Sequence, residues 1–167
     1  VHFVARGAHL AALREHGLKV ESPAGALHLP QVKVTDDPAT IPGADVVLFG
    51  VKLWDTEAAA TAIRPLIGPG TAVISFQNGV VKDDIVRRIV GDDAVVGGVC
   101  YIAATIAEPG VIRHTGSMHK LVFGEHDGRS SDRVQRLAQA CAGAGFDHEL
   151  SPNIRRTQWE KFVFLVG

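Results

Sequence analysis

The sequence predicts an α/β fold built on a doubly wound, mostly parallel sheet with an antiparallel extension. Three observations predict it. Short apolar runs alternate with segments of helical period through residue 90, the arrangement of strand–helix–strand units. The run Asp45–Val51 is apolar almost throughout, as expected of a strand covered on both faces. After residue 94, strand-like runs succeed one another without helical segments between them, which suits an antiparallel pair at one edge.

Val1–Val4 reads as a strand and Ala8–His16 as the helix after it, with Leu10 and Leu13 on one face and Gly17 as its stop. Leu18–Glu21 and Leu27–Val34 read as strands joined across Ser22-Pro23-Ala24-Gly25. Asp37-Pro38 starts a short helical turn, and the Asp45 strand follows. Trp54–Ile67 is alanine-rich and helix-like, closed by Gly68-Pro69-Gly70. In Val73-Ile74-Ser75-Phe76-Gln77-Asn78-Gly79-Val80 a short apolar run ends in a polar turn. Val81, Ile85 and Ile89 then recur every four residues with Lys82, Asp83, Asp84, Arg87 and Arg88 between them, the spacing of an amphipathic helix. Asn-Gly is the commonest hairpin turn, but that helical period places Gln77-Asn78-Gly79 in a strand-to-helix loop. Such loops line the ligand crevice of open α/β sheets.

Ala94–Ala104 is strand-like, and Gly110–Thr115 and Lys120–Gly124 are two further runs separated by Gly116-Ser117. Ser131–Ala144 reads as a helix with Val134, Leu137, Ala138 and Cys141 on one face, and Phe146–Leu150 as a last strand. Ser151-Pro152 supplies an N-cap and a first-turn proline for a helix running to the end. That helix is polar early and apolar on every face from Phe162, hence expected to be buried. Residues 1 and 167 both fall inside apolar runs, so the fold is expected to be incomplete at both ends.

Composition narrows the function. The 167 residues are 46% hydrophobic, which excludes disorder and supports a sizeable core. With 17 Lys plus Arg against 18 Asp plus Glu, the chain has no charge footprint for nucleic acid. Its apolar runs are too short for a membrane span and its start is unlike a signal peptide. Cys100 and Cys141 form no CxxC pair and are expected as reduced thiols in the cytoplasm. The histidines show no metal-ligand spacing, so no metal is expected, and no serine lies in a G-x-S-x-G elbow.

Three cations stand out. Arg6 follows the first strand. In dinucleotide-binding folds the end of the second strand faces the adenine ribose, where an arginine pairs with the 2′-phosphate of NADP. If Val1–Val4 is that strand, Arg6 selects NADP; otherwise it is a solvated arginine. No GxGxxG fingerprint occurs in the chain, and it would lie upstream of residue 1. Lys52 ends the Asp45 strand on the crevice rim, either to meet a phosphate or carboxylate or to stay in water. Lys161 stands where its helix turns apolar, next to Trp159. A partly desolvated lysine there has a lowered pKa and donates a proton near neutrality; the competing reading is a stem that packs while its ammonium reaches water.

Five segments in order, Phe3-Val4-Ala5-Arg6-Gly7, Val51-Lys52-Leu53-Trp54, Gln77-Asn78-Gly79-Val80, Glu108-Pro109-Gly110-Val111-Ile112 and Trp159-Glu160-Lys161, resemble the ketopantoate reductase (2-dehydropantoate 2-reductase) family. The resemblance implies a Rossmann-like NADP-binding domain over 1–150, without its first strand and glycine loop, and the start of a helical domain over 151–167. It implies NADPH-dependent reduction of 2-dehydropantoate to pantoate for coenzyme A synthesis. Arg6 would hold the 2′-phosphate, and Lys52, Asn78 and the backbone of Ala103 would contact the cofactor. Asn78 and Lys161 would meet the 2-oxo acid, with Lys161 as general acid. Leu165 stands where the family has a substrate-contacting asparagine, which leaves room for another 2-oxo acid. A related hydroxy-acid or sugar-acid dehydrogenase and a non-catalytic α/β binding module are the other readings. Expected partners are the small-molecule 2-oxo acid substrate and a second copy in a homodimer; the Phe162–Val166 tail, if exposed, invites association. The chain alone, without the glycine loop, is expected to be inactive.

Overall fold

The structure, a computed structural model, describes residues 1–167. Its elements run β1 (His2–Val4), α1 (Gly7–His16), β2 (Leu18–Glu21), β3 (Leu27–Leu29), β4 (Lys33–Thr35), β5 (Val46–Phe49), α2 (Thr56–Ala62), β6 (Ala72–Ser75), α3 (Lys82–Val90), β7 (Val95–Glu108), β8 (Val111–Gly124), α4 (Asp132–Gly143), β9 (Asp147–Leu150) and α5 (Ile154–Val166). They divide into two compact units, Val1–Ile41 with Ile102–His119, and Pro42–Tyr101 with Lys120–Gly167. The mixed α/β, Rossmann-like class with mostly parallel pairing is as expected.

In the first unit β1 pairs in parallel with β4, from His2↔Lys33 to Val4↔Thr35. β2 pairs antiparallel with β3 and in parallel with the start of β8. The expected single strand 27–34 is two, because Pro30 has no N–H to continue a ladder. Leu10 and Leu13 are the buried residues of α1. Gly17 ends that helix at φ +73, where a Cβ would lie 1.9 Å from Leu29 O, so no other residue fits.

In the second unit β5, β6 and the start of β7 pair in parallel, and the end of β8 pairs in parallel with β9. The two runs expected around Gly116-Ser117 are one strand, β8; Gly116 passes through it at φ +78, as glycine does at a bulge. The hairpin of β7 and β8 about Pro109-Gly110 is not at an edge, because β8 also pairs with β2 and with β9. α4 covers one face through Val134, Ala138 and Cys141 packed on Ala72, Ile74, Val96 and Phe123. Val122, next to Phe123, points the other way and meets Val99 and Ile154.

Four local expectations differ. The strand covered on both faces is β6, buried at all four residues. β5 ends the pairing order and leaves Leu48 59% exposed. The expected helix 54–67 shrinks to α2 between two 3-10 turns, the second carrying Pro65, which lacks the donor an α-helix needs. α5 is capped by Asn153, whose Oδ1 accepts from Arg156 N at 3.1 Å, rather than by Ser151. Ser151 N still donates to Phe123 O, which holds it to the sheet. The apolar end of α5, expected to be buried, is exposed at Val163–Val166, with Leu165 also reaching the cavity beside Asn78. No helix is long and apolar enough to cross a membrane.

Candidate active site

The site lies in the second unit, where β6 gives way to α3. Gly79 takes φ +98 in the connection, and Asn78-Gly79 belongs to a strand-to-helix loop, as the helical period required. Gln77 pins that loop from behind. Its Oε1 accepts from Ser75 Oγ at 2.9 Å, and its Nε2 donates to Val51 O at 2.8 Å and Thr56 Oγ1 at 2.9 Å. The loops after β5 and β6 are thereby tied side by side at the carboxyl ends of parallel strands, where open α/β sheets hold ligands.

Lys161 reaches this loop from α5. Its Nζ donates to Asn78 Oδ1 at 3.0 Å and to Cys100 O at 2.5 Å, and stands 5.5 Å from the centre of the Tyr101 ring. An ammonium only donates, so the contact assigns the carboxamide with its oxygen toward the lysine and leaves Asn78 Nδ2 to donate elsewhere. Burial pushes the Lys161 pKa below the ordinary lysine value, with Cys100 opposing. Asn78, Gly79, Lys161, Phe162 and Leu165 line one cavity of about 10 Å³, room for about one water.

Against this cavity lies an ionic network. Lys82 and Asp83, expected among the polar positions between the apolar stripe of α3, are 1% and 2% exposed. Lys82 Nζ donates to Ser75 O (2.6 Å), Gly98 O (2.9 Å) and Asp83 Oδ1 (3.0 Å). Asp83 Oδ2 accepts from Gln158 Nε2 of α5 at 2.6 Å. His126 Nε2 is 3.1 Å from the same oxygen, without the alignment of a hydrogen bond. Burial pushes the Lys82 ammonium down in pKa while Asp83 opposes. Burial works to raise the Asp83 carboxyl, but His126, Lys82 and Gln158 together outweigh it and hold the carboxyl below its usual range. The buried face of α3 is therefore Lys82, Asp83 and Val86, rotated from the expected Val81–Ile85–Ile89 stripe, and Val81 is exposed.

The structure thus brings Asn78 and Lys161 together. Lys52 is exposed on the β5 loop of the same unit, at the start of a 3-10 turn. Arg6 and Ala103 lie in the first unit. Arg6 is exposed at the N-cap of α1, directly after β1. Ala103 is exposed in β7, its carbonyl accepting from Thr115 Oγ1 at 3.4 Å. Lys82, Asp83 and Gln158 went unrecognised. Their signal was an adjacent pair of opposite charges in the first turn after a polar crevice loop, where the helix start faces the sheet rather than water.

A family model described as Ketopantoate reductase PanE/ApbA matches residues 1–128. A 2-dehydropantoate 2-reductase of Halobacterium salinarum is 33% identical over 95% of this chain and 52% of its own length. Among solved structures, 2-dehydropantoate 2-reductase from Geobacter metallireducens superposes with a TM-score of 0.90 at 33% identity, covering 98% of this chain and 54% of that one. The enzyme of that name from Porphyromonas gingivalis gives 0.92 at 32% identity, over 99% and 58%. The chain spans about half the length of the curated relatives it matches.

Proposed function

We propose that this chain, which belongs to the ketopantoate reductase family, acts within an NADPH-dependent reductase that converts 2-dehydropantoate to pantoate. The carrying observation is the 3.0 Å contact between Lys161 Nζ and Asn78 Oδ1 over one cavity. Reduction of a 2-oxo acid puts negative charge on the carbonyl oxygen. A cation and an amide donor at that oxygen bind the transition state more tightly than the ground state. NADPH supplies the hydride when bound. Lys161 gives its proton to the oxygen, and the carbonyl of Cys100 keeps the ammonium aimed while it does so. Asn78, already oriented by the lysine, donates from Nδ2 to the substrate. In the second unit Lys52 and Asn78 stand at the carboxyl ends of parallel strands, where open α/β sheets take a dinucleotide; in the first, Arg6 offers an exposed guanidinium of the kind that pairs with a 2′-phosphate. Ala103 offers backbone to the cofactor.

The test is NADPH oxidation by the full-length protein with 2-dehydropantoate. Lys161→Ala is expected to lower kcat by ~10²–10⁴-fold. Undiminished turnover in that variant overturns the proton-donor role; no substrate-dependent oxidation in the parent overturns the substrate. Leu165 in the cavity wall favours a second reading, a 2-oxo acid carrying an apolar group there. Faster turnover of such an acid than of 2-dehydropantoate selects it.

A further inference from the structure

We infer that Lys82 and Asp83, acting through Gln158, are positioning residues that hold Lys161 over Asn78. The inference rests on the reading of Lys161 as general acid. Lys82 is not itself a ligand for substrate: an ammonium has three donors, and all three are used by Ser75 O, Gly98 O and Asp83. Its acceptors parallel those of Lys161. Ser75 O lies three residues before Asn78, and Gly98 O two residues before Cys100, whose carbonyl receives the second Lys161 bond. The buried lysine is therefore a strut between the end of β6 and the first part of β7, in the wall of the cavity that Lys161 also lines.

Asp83 completes the device. One oxygen holds Lys82, and the other holds Gln158, a buried residue of α5. Gln158 and Lys161 are three apart on one helix and so share a face. The Asp83–Gln158 bond therefore fixes the depth and rotation of α5 against the loop bearing Asn78. A displacement of about 1 Å in a reacting group costs on the order of 10²-fold in rate. The Lys161 ammonium meets Asn78 Oδ1, the carbonyl of Cys100 and the ring of Tyr101, with the Cys100 thiol and the Lys82 ammonium acting on it through charge.

Two variants of the full-length protein test the tether. Gln158→Met leaves both charges and breaks only the bond to Asp83, so kcat is expected to fall by about 10–100-fold with KM little changed. Lys82→Met removes the strut between β6 and β7 and is expected to lower kcat in the same way. Should Lys82→Met fail to fold, Gln158→Met decides the matter. A parent-like kcat in Gln158→Met, or a loss carried by KM rather than kcat, overturns the inference, while a loss of turnover in Lys161→Ala leaves the general-acid reading standing.

Discussion

Gly98, in β7 against the cavity, has no space for a side chain. A Cβ there would lie 2.7 Å from Ile74 Cγ2, 2.9 Å from Ser75 O and 3.0 Å from Phe76 Cε1. Carbon atoms ordinarily rest ~3.5–4.0 Å apart, so the methyl of Gly98→Ala intrudes by about 1 Å. Ile74 cannot retreat: it is β-branched, fully buried and packed in the core beneath α4. Ser75 O cannot retreat either without releasing Lys82. Overpacking of this kind costs about 1–3 kcal/mol. With a urea dependence of ~1–3 kcal/mol per molar, a loss of about 2 kcal/mol lowers the unfolding midpoint by about 1 M. Gly143→Ala is the control, because a Cβ at that last residue of α4 meets nothing within 4 Å. It is expected to leave the midpoint unchanged or raise it, by up to about 1 kcal/mol. Urea titration of the full-length protein followed by circular dichroism measures both. A Gly98→Ala midpoint equal to that of the parent refutes the close packing of β6 on β7 at the cavity wall.

Other expectations follow from single contacts. Arg6→Ala should raise KM for NADPH about 10–150-fold, the worth of a hydrogen-bonded charge pair, and leave KM for NADH nearly unchanged; equal effects on both cofactors would remove the 2′-phosphate role. Because burial holds the Lys161 pKa down and the ammonium is the active form, kcat/KM should fall as pH rises through a value below the ordinary lysine range; an initial-rate profile flat to strongly alkaline pH contradicts this. Glu125 is 3% exposed and takes Arg133 Nε and Nη2 at 2.7 Å each, so Glu125→Ala should cost about 1–3 kcal/mol by leaving those two donors unpaired, while Nη1 keeps Thr71 O and Asp93 O. Burial raises the Glu125 carboxyl, but Arg133 and Ser131 outweigh it, so its folded pKa is depressed. Its stabilising contribution is present above the ordinary value of 4.5 and lost as pH falls through the lower folded value, which acid titration of parent and variant compares. Asn153→Ala should lose about 1 kcal/mol by thermal denaturation, whereas Ser151→Ala tests the cap first expected and should lose less if Asn153 is the true cap.

What the sequence made legible divides along a physical line. Period and punctuation locate β6, α3, α4 and β9 because helical and strand spacing and the glycines and prolines between runs are local properties of the chain. The 77–79 loop was legible for the same reason, since a helical period after Asn-Gly leaves a hairpin no place. Where a residue's surroundings come from distant segments, local pattern and structure part. Leu48 is apolar yet exposed because β5 ends the pairing order, a fact of strand order that no local pattern carries. Ser151 offered better local cap chemistry, but its N–H is committed to Phe123, 28 positions away in the chain, and the helix starts later.

Lys82 and Asp83 mark the limit most sharply. A hydropathy pattern assigns a charge to water because an unpaired buried ion is prohibitively costly. Here the ammonium finds Ser75 and Gly98, the carboxylate finds Gln158 of α5, and each ion offsets the other. None of those partners is predictable from the helix that carries the pair. A pair that is buried and fully bonded is still no strong source of stability, since apolar residues of the same volume often serve as well or better. Its position therefore points away from the fold and toward the site: the network joins the loop of Asn78, the strand of Cys100 and the helix of Lys161, the three elements whose relative placement the proposed proton transfer depends on.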